Sequence, residues 1–431
     1  MISFANQTFN PALSNPKPLS ASGFSSRVLS FTSQFGSQPL KTLKGGRDCG
    51  YRLFWADLSR GEMELVRRFS RGCFFDLSKT RSEVELVSVE GGEDVFHSSS
   101  ADSKVQPEHL VIMVNGLIGS AADWRYAAKQ FVRRLPERVV VHCSECNYSR
   151  LTFDGVDRMG DRLAEEVVDV VKRWPGMHKI SFVSHSLGGL VARYAVGRLF
   201  VYPSAAETTN VDGRDKFDDG SIAGLEPMNF ITVATPHLGS RGHKQLPLLC
   251  GLPLLEKGVS QTAHLLVGRS GKHLFLTDND DGKPPLLLRM ANDSNDLKFI
   301  SALRAFKRRV VYANANYDHV VGWRTSSIRR QSELPKANFL VKDTRYPHIV
   351  HVAQETAEVK HKASSATVTE TIDLEEEMIR GLTQVPWERI DVSFQKSSQR
   401  YVAHNTIQVK TYWLNSDGAD VIRHLIDNFL L

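Results

Sequence analysis

Lys179-Ile-Ser-Phe-Val-Ser-His-Ser-Leu-Gly-Gly-Leu-Val-Ala-Arg-Tyr-Ala-Val196 joins three patterns in eighteen residues. An apolar run ends at Val183, a tight turn of small residues follows, and Leu190, Val191, Tyr194, Ala195 and Leu199 then recur at helical spacing. A strand, a sharp turn and a helix with a serine at the apex is the nucleophile elbow, which forces Ser186 into a strained backbone and lifts its hydroxyl over the sheet. Strand and helix backbones approach closely there, so the positions two before and two after the serine must be small. Gly188 meets that need, and Ser184 stands where a first glycine is usual. Six residues of this kind also occur by chance, and a serine before a helix is often only an N-cap. The flanking periodicity is what argues for chemistry at Ser186.

Outward from the elbow, apolar runs of strand length alternate with helical patterns. His109-Leu-Val-Ile-Met-Val114 reads as the first core strand and ends at Asn115-Gly116. A helix is predicted from Trp124 to Leu135, a short strand at Val139–His142, and an amphipathic helix over Gly155–Trp174 that Pro175-Gly176 ends. Met228–Ala234 and Arg309–Ala313 read as further buried strands, Trp387–Phe394 as a late one and Ala419–Leu430 as a closing helix. This alternation predicts an α/β fold, a mainly parallel central sheet covered by helices on both faces. Three stretches break the rhythm. Residues 202–226 read as a polar loop. Residues 238–300, apolar over Leu246–Leu255 and again near Leu274–Leu276, read as a cap over the site. Residues 354–377, charged and rich in Thr and Ser, read as a flexible insertion.

Composition bounds the rest. The formal charge is +6, but residues 1–47 hold Lys17, Arg27, Lys41, Lys44 and Arg47 with no Asp or Glu. Without them the body is nearly neutral, which gives nucleic acid no electrostatic footprint. No apolar run is long enough to span a membrane. The five cysteines are scattered, and Cys143-Ser-Glu-Cys146 has no second pair to complete a metal site, so they read as ordinary thiols of a reducing compartment. Residues 1–47 are basic, Ser-rich and acid-free, the composition of a plastid transit peptide, with a disordered tail and a cytoplasmic protein as the alternative. Residues 48–106 form an extension of unread role, and 107–431 the catalytic-type domain.

A serine hydroxyl needs a base, and the base an orienting acid. Asp318 follows the run Arg309–Ala313, which puts it beyond the carboxyl end of a strand, where sites of open parallel sheets lie. Asp278, Asp280, Asp281, Asp293 and Asp296 compete from within the cap. His404, between the late strand and the closing helix, is the candidate base. His424 sits inside that helix, His319 adjoins the acid, His185 should turn away from the Ser186 hydroxyl, and His237 is a candidate for the pocket wall. The oxyanion of an acyl-transfer intermediate needs backbone donors. Leu187 supplies the first by position and Leu117, in the turn built on Gly116, the second.

Taken together, Val114–Ser120, Ser184–Tyr194, Thr235–Gly239, Asn316–Thr325 and Ala403–Lys410 resemble the serine esterase/lipase family of the α/β-hydrolase superfamily, plant-type members included, from about residue 107 to the C-terminus. One departure is Asn115-Gly116 where lipases often carry His-Gly. The resemblance implies the triad Ser186, Asp318 and His404, and hydrolysis of esters or acyl lipids without metal or cofactor. The apolar run Leu246–Leu255, read as a cap, would suit an acyl chain, so monoacylglycerol, phospholipid and galactolipid are the expected classes, met at a lipid surface, with packing of these leucines onto the core as the alternative. An acyltransferase using the same triad, and an inactive fold serving as a binding module, stay open at this point.

Overall fold

The computed structural model describes residues 95–96, 107–203, 220–240, 268–279, 282–336, 344–354 and 373–431. The strands are β1 (Val95–Phe96), β2 (His109–Val114), β3 (Val139–Cys143), β4 (Lys179–His185), β5 (Phe200–Val201), β6 (Ser221–Ile222), β7 (Glu226–Val233), β8 (Arg308–Asn314), β9 (Ile349–Gln354) and β10 (Glu388–Val392). Eight of them form one sheet in the order β1-β3-β2-β4-β7-β8-β10-β9, while β5 and β6 pair apart. The six central strands run parallel; β1 on β3 and β9 on β10 are antiparallel edges.

Burial follows from the pleat. Leu110, Ile112 and Val114 of β2 point into one core and Val111 and Met113 into the other, all at most 1% exposed. Each such side chain contributes about 1.5–3 kcal/mol by leaving water, so a strand buried on both faces reads as a continuous apolar run. The first core is covered by helices Val156–Arg173, Leu187–Leu199 and Phe299–Ala305, the second by Arg125–Arg134 and Ala419–Asp427. The helix Val156–Arg173 presents Val156, Met159, Leu163, Val167 and Val170 on its buried face. This doubly covered parallel sheet, with a serine turn at the end of β4, is the α/β-hydrolase fold.

Several boundaries differ from the sequence reading. The polar loop 202–226 closes with β6, which pairs Ser221 and Ile222 with Val201 and Phe200. The insertion 354–377 is bracketed by structure: Gln354 ends β9, and a helix capped by Asp373 runs over Leu374–Leu382. Residues 355–372 lie outside the described residues. β9 itself escapes the reading because Ile-Val-His-Val-Ala-Gln neither alternates nor runs unbroken apolar: its polar residues, His351 and Gln354, fall three apart. The apolar run Leu246–Leu255 also lies outside the described residues, as do residues 1–94, and with them the proposed transit peptide and most of the extension. The described remainder of 238–300 packs into the body. Leu276, Leu286, Leu287, Leu288, Met290, Phe299 and Ile300 all join the first core.

Three histidines are built into this interior uncharged. Burial, aided by Lys179 and Arg138, pulls His109 down to about 3. Burial, then the charge of His404, holds His185 well below its usual value, and burial with Arg193 does the same to His237. In the unfolded chain each takes up a proton near pH 6.5. Below that pH the unfolded state binds more protons, so stability that is full above about 6.5 is lost as the pH falls toward the folded values. The melting temperature should therefore decline steadily from pH 7 to pH 4, and a flat profile over that range would contradict the buried neutral assignment.

Candidate active site

The elbow sets the site. Ser186 has φ 55° and ψ −129°, a conformation that L residues adopt only when the surroundings enforce it. What enforces it is the crowding on either side. A Cβ on Gly188 would lie 2.4 Å from the Asn115 carbonyl oxygen and 2.6 Å from that of Val114. Ser184 is fully buried and bonds the Ile231 carbonyl at 3.3 Å, so its hydroxyl is satisfied by the neighbouring strand where a glycine would have none.

The structure brings Ser186, His404 and Asp318 into one chain of hydrogen bonds. His404 Nε2 is 3.0 Å from Ser186 Oγ, and its Nδ1 is 3.0 Å from Asp318 Oδ2. Asp318 leaves β8 through Asn314, whose amide donates to the same Oδ2 at 2.8 Å, while the Val320 and Val321 N–H groups donate to Oδ1 at 3.0 and 2.9 Å. Burial, the largest influence, pushes this carboxyl up, yet the His404 charge and hydrogen bond, Val321 and Asn314 outweigh it and hold it below the ordinary value. An ionised carboxylate only accepts, so Nδ1 carries the proton and Nε2 is free to accept from the serine.

The turn after β2 crosses directly over the nucleophile: a Cβ on Gly116 would meet Ser186 Cβ at 2.9 Å. Within it, Ile118 N–H donates to Thr152 Oγ1 and Gly119 N–H to the Gly116 carbonyl. No bond from the Leu117 or Leu187 N–H is found among the described residues; the two follow directly on Gly116 and Ser186, the residues that meet here. The Asn115 side chain ties the turn down, bonding the Gly116 and Asn147 carbonyls at 3.1 and 2.9 Å. Sequence reasoning gave Asn115 no such part; its signal was a polar residue closing the apolar run Leu110–Val114.

Of the other candidates, His237 is corrected. It is fully buried, accepts from Arg193 on Nδ1 at 3.3 Å and bonds Thr232 Oγ1 through Nε2 at 2.8 Å, so it braces the interior and does not line a pocket. His424 is buried and bonds the Tyr312 hydroxyl, and His319 is exposed. Asp278 accepts the Leu286 N–H, Asp293 caps the helix at Ile300 and Ser301, Asp296 is exposed, and Asp280 and Asp281 lie outside the described residues. His185 does leave the serine hydroxyl alone, but it turns toward His404, which the sequence did not foretell. Burial, then Glu166, pushes the Cys146 thiol up, and among the described residues no three His, Cys, Asp or Glu side chains are grouped to hold a metal ion.

An α/β-hydrolase whose elbow serine meets a histidine and a buried carboxylate defines a class, and comparison with known proteins places the chain within it. It belongs to the family described as "Putative serine esterase (DUF676)", whose model matches residues 104–328. That span includes Ser186 and Asp318 and stops short of His404. The chain is similar to "Putative lipase C4A8.10" of Schizosaccharomyces pombe, 29% identical over 247 residues, 55% of this chain and 27% of that protein. It is also similar to "Putative lipase ROG1" of Saccharomyces cerevisiae, 32% identical over 227 residues, 51% of this chain and 28% of that protein. It thus spans little more than a quarter of the length of these relatives. Among solved structures, the mature lipase BlEst2 of Bacillus licheniformis is 16% identical with a TM-score of 0.27, over 50% of this chain and 68% of that one. The fold assignment rests on the strand order and the elbow.

Proposed function

We propose that the protein is a serine carboxylester hydrolase acting on acyl lipids of the monoacylglycerol, phospholipid or galactolipid class. The observation that carries this reading is the unbroken chain Ser186–His404–Asp318 beside two uncommitted N–H groups. Ser186 Oγ attacks the acyl carbonyl as His404 Nε2 takes its proton, and ionised Asp318 holds the resulting imidazolium. The oxyanion is received by the Leu117 and Leu187 N–H groups, each worth about 2.7–4 kcal/mol in such sites. His404 returns the proton to the leaving alcohol, and water then cleaves the acyl-enzyme with His404 again as base.

The surface around the site favours a lipid over a dissolved ester. Of the exposed large apolar side chains among the described residues, Ile118, Tyr148, Leu151, Val320, Tyr401 and Val402 lie in the connections that follow the parallel strands β2, β3, β8 and β10. Ile118 follows β2, Tyr148 follows β3, and Tyr401, Tyr412 and Trp413 follow β10; Trp413 is 75% exposed. Connections that follow parallel strands reach the sheet edge at which β4 ends in Ser186, and exposed Tyr and Trp side chains in them suit the boundary between water and acyl chains.

The test compares hydrolysis of a short-chain soluble ester with hydrolysis of the same acyl ester presented in micelles and in phospholipid or galactolipid vesicles. Faster turnover of the aggregated substrate is the expected result. Turnover confined to the soluble ester would remove the lipid assignment, and acyl transfer to added alcohol in preference to water would mark an acyltransferase.

A further inference from the structure

The His404 carbonyl receives no backbone N–H among the described residues. Its short helix, Ala403–Thr406, ends too soon: Ile407 N–H returns to Ala403, Val409 N–H to Thr406 and Lys410 N–H to Asn405. The carbonyl is met instead by His185 Nε2 at 2.7 Å, from 219 residues away. A carbonyl only accepts, so Nε2 bears the proton and donates. The two imidazoles lie against each other, 4.6 Å between centroids at 49°. One residue back, Asn314 Nδ2 reaches the Ala403 carbonyl at 3.3 Å while also bonding Asp318. The segment that carries His404 is therefore clipped to the ends of two strands, β4 and β8, and the β4 clip is the residue covalently joined to the nucleophile.

We propose that His185 is a positioning residue that sets His404 against Ser186. This rests on the hydrolase reading above. Because His185 and Ser186 share a peptide bond, motion of the 400–410 segment relative to the sheet cannot change the Ser186–His404 distance without breaking the His185 clip. The clip also keeps its form through the reaction. His185 is 3% exposed, and burial and the His404 charge keep it uncharged, so it goes on donating to the carbonyl while the neighbouring ring becomes an imidazolium. Catalytic geometry tolerates little drift, since a displacement of about 1 Å costs on the order of 100-fold in rate.

The discriminating pair is His185→Gln and His185→Met. The two side chains have similar length and volume, but only glutamine has an N–H to offer the carbonyl. The proposal expects His185→Met to lose about 10–100-fold in kcat and in the rate of fluorophosphonate labelling, with KM within about twofold of the parent, because the clip acts on the base and not on the substrate. His185→Gln should recover most of that loss at a melting temperature like that of His185→Met. Equal kcat in the two variants, or a loss that appears in KM alone, would overturn it. A parent protein that neither takes the probe nor hydrolyses any ester would remove the hydrolase reading itself, and the proposal with it. That result is distinct, because it concerns the parent and not the pair.

Discussion

Replacing Ser186 with alanine should abolish ester turnover, by about four to six orders of magnitude in kcat, while leaving the fold intact. The size of the effect follows from the absence of a substitute. Ser184 is fully buried with its hydroxyl committed to the Ile231 carbonyl, and no other hydroxyl of the described residues bonds His404. The effect on stability should be small for equally local reasons. Alanine keeps the Cβ that already packs under Gly116, and at φ 55° it is no more strained than serine. The only bond lost is the one to His404, on a side chain open to the site, and such a change stays within about 1 kcal/mol. The measurement is kcat on a micellar ester together with the melting temperature and fluorophosphonate labelling. A variant that keeps its melting temperature, loses the label and loses turnover places the nucleophile at 186. Undiminished esterase activity would take it away.

The same residues show why some of the site could be read from sequence and some could not. The elbow is legible because it is local: strand, turn and helix fall within eighteen residues, and sterics alone demand Gly188 beside the Asn115 carbonyl. Asp318 and His404 are legible because a parallel sheet delivers the loops that follow its strands to one edge, so position relative to β8 and β10 is enough to nominate them. His185 shows the limit. Its place next to Ser186 predicted that it would turn away from the serine hydroxyl, and it does, but the carbonyl it reaches belongs to a segment placed by strand order, which no local pattern records. His237 failed for the opposite reason. A histidine in a turn after a core strand looks accessible until the Arg193 side chain, itself fully buried, is seen to close over it. Edge strand β9 was missed because its polar residues, His351 and Gln354, fall three apart while Val352 is exposed, which breaks the period-two pattern.

Asp318→Asn should be nearly as damaging as loss of the nucleophile, about 10⁴-fold in kcat, although the two side chains have the same shape. At present Oδ2 accepts from both His404 Nδ1 and Asn314 Nδ2, and Oδ1 accepts from the Val320 and Val321 N–H groups, so each oxygen faces only donors. An amide places its NH₂ on one side or the other. If it faces Val320 and Val321, two backbone donors lose their acceptor and the turn that holds the residue loosens. If it faces His404, the imidazole answers with an unprotonated Nδ1, which moves its proton to Nε2 and leaves no base for Ser186. Either orientation also removes the negative charge that would stabilise the imidazolium in the transition state. The cost in folding should be modest, about 1–3 kcal/mol for a mismatched buried donor, so the protein remains measurable. Asp278→Asn supplies the control: Asp278 is also a buried carboxylate, but its work is to accept the Leu286 N–H at 2.6 Å, away from His404. Turnover lost in Asp318→Asn and kept in Asp278→Asn assigns the acid to position 318, whereas parent-like turnover in Asp318→Asn would mean that His404 works without it and that another carboxylate orients the base.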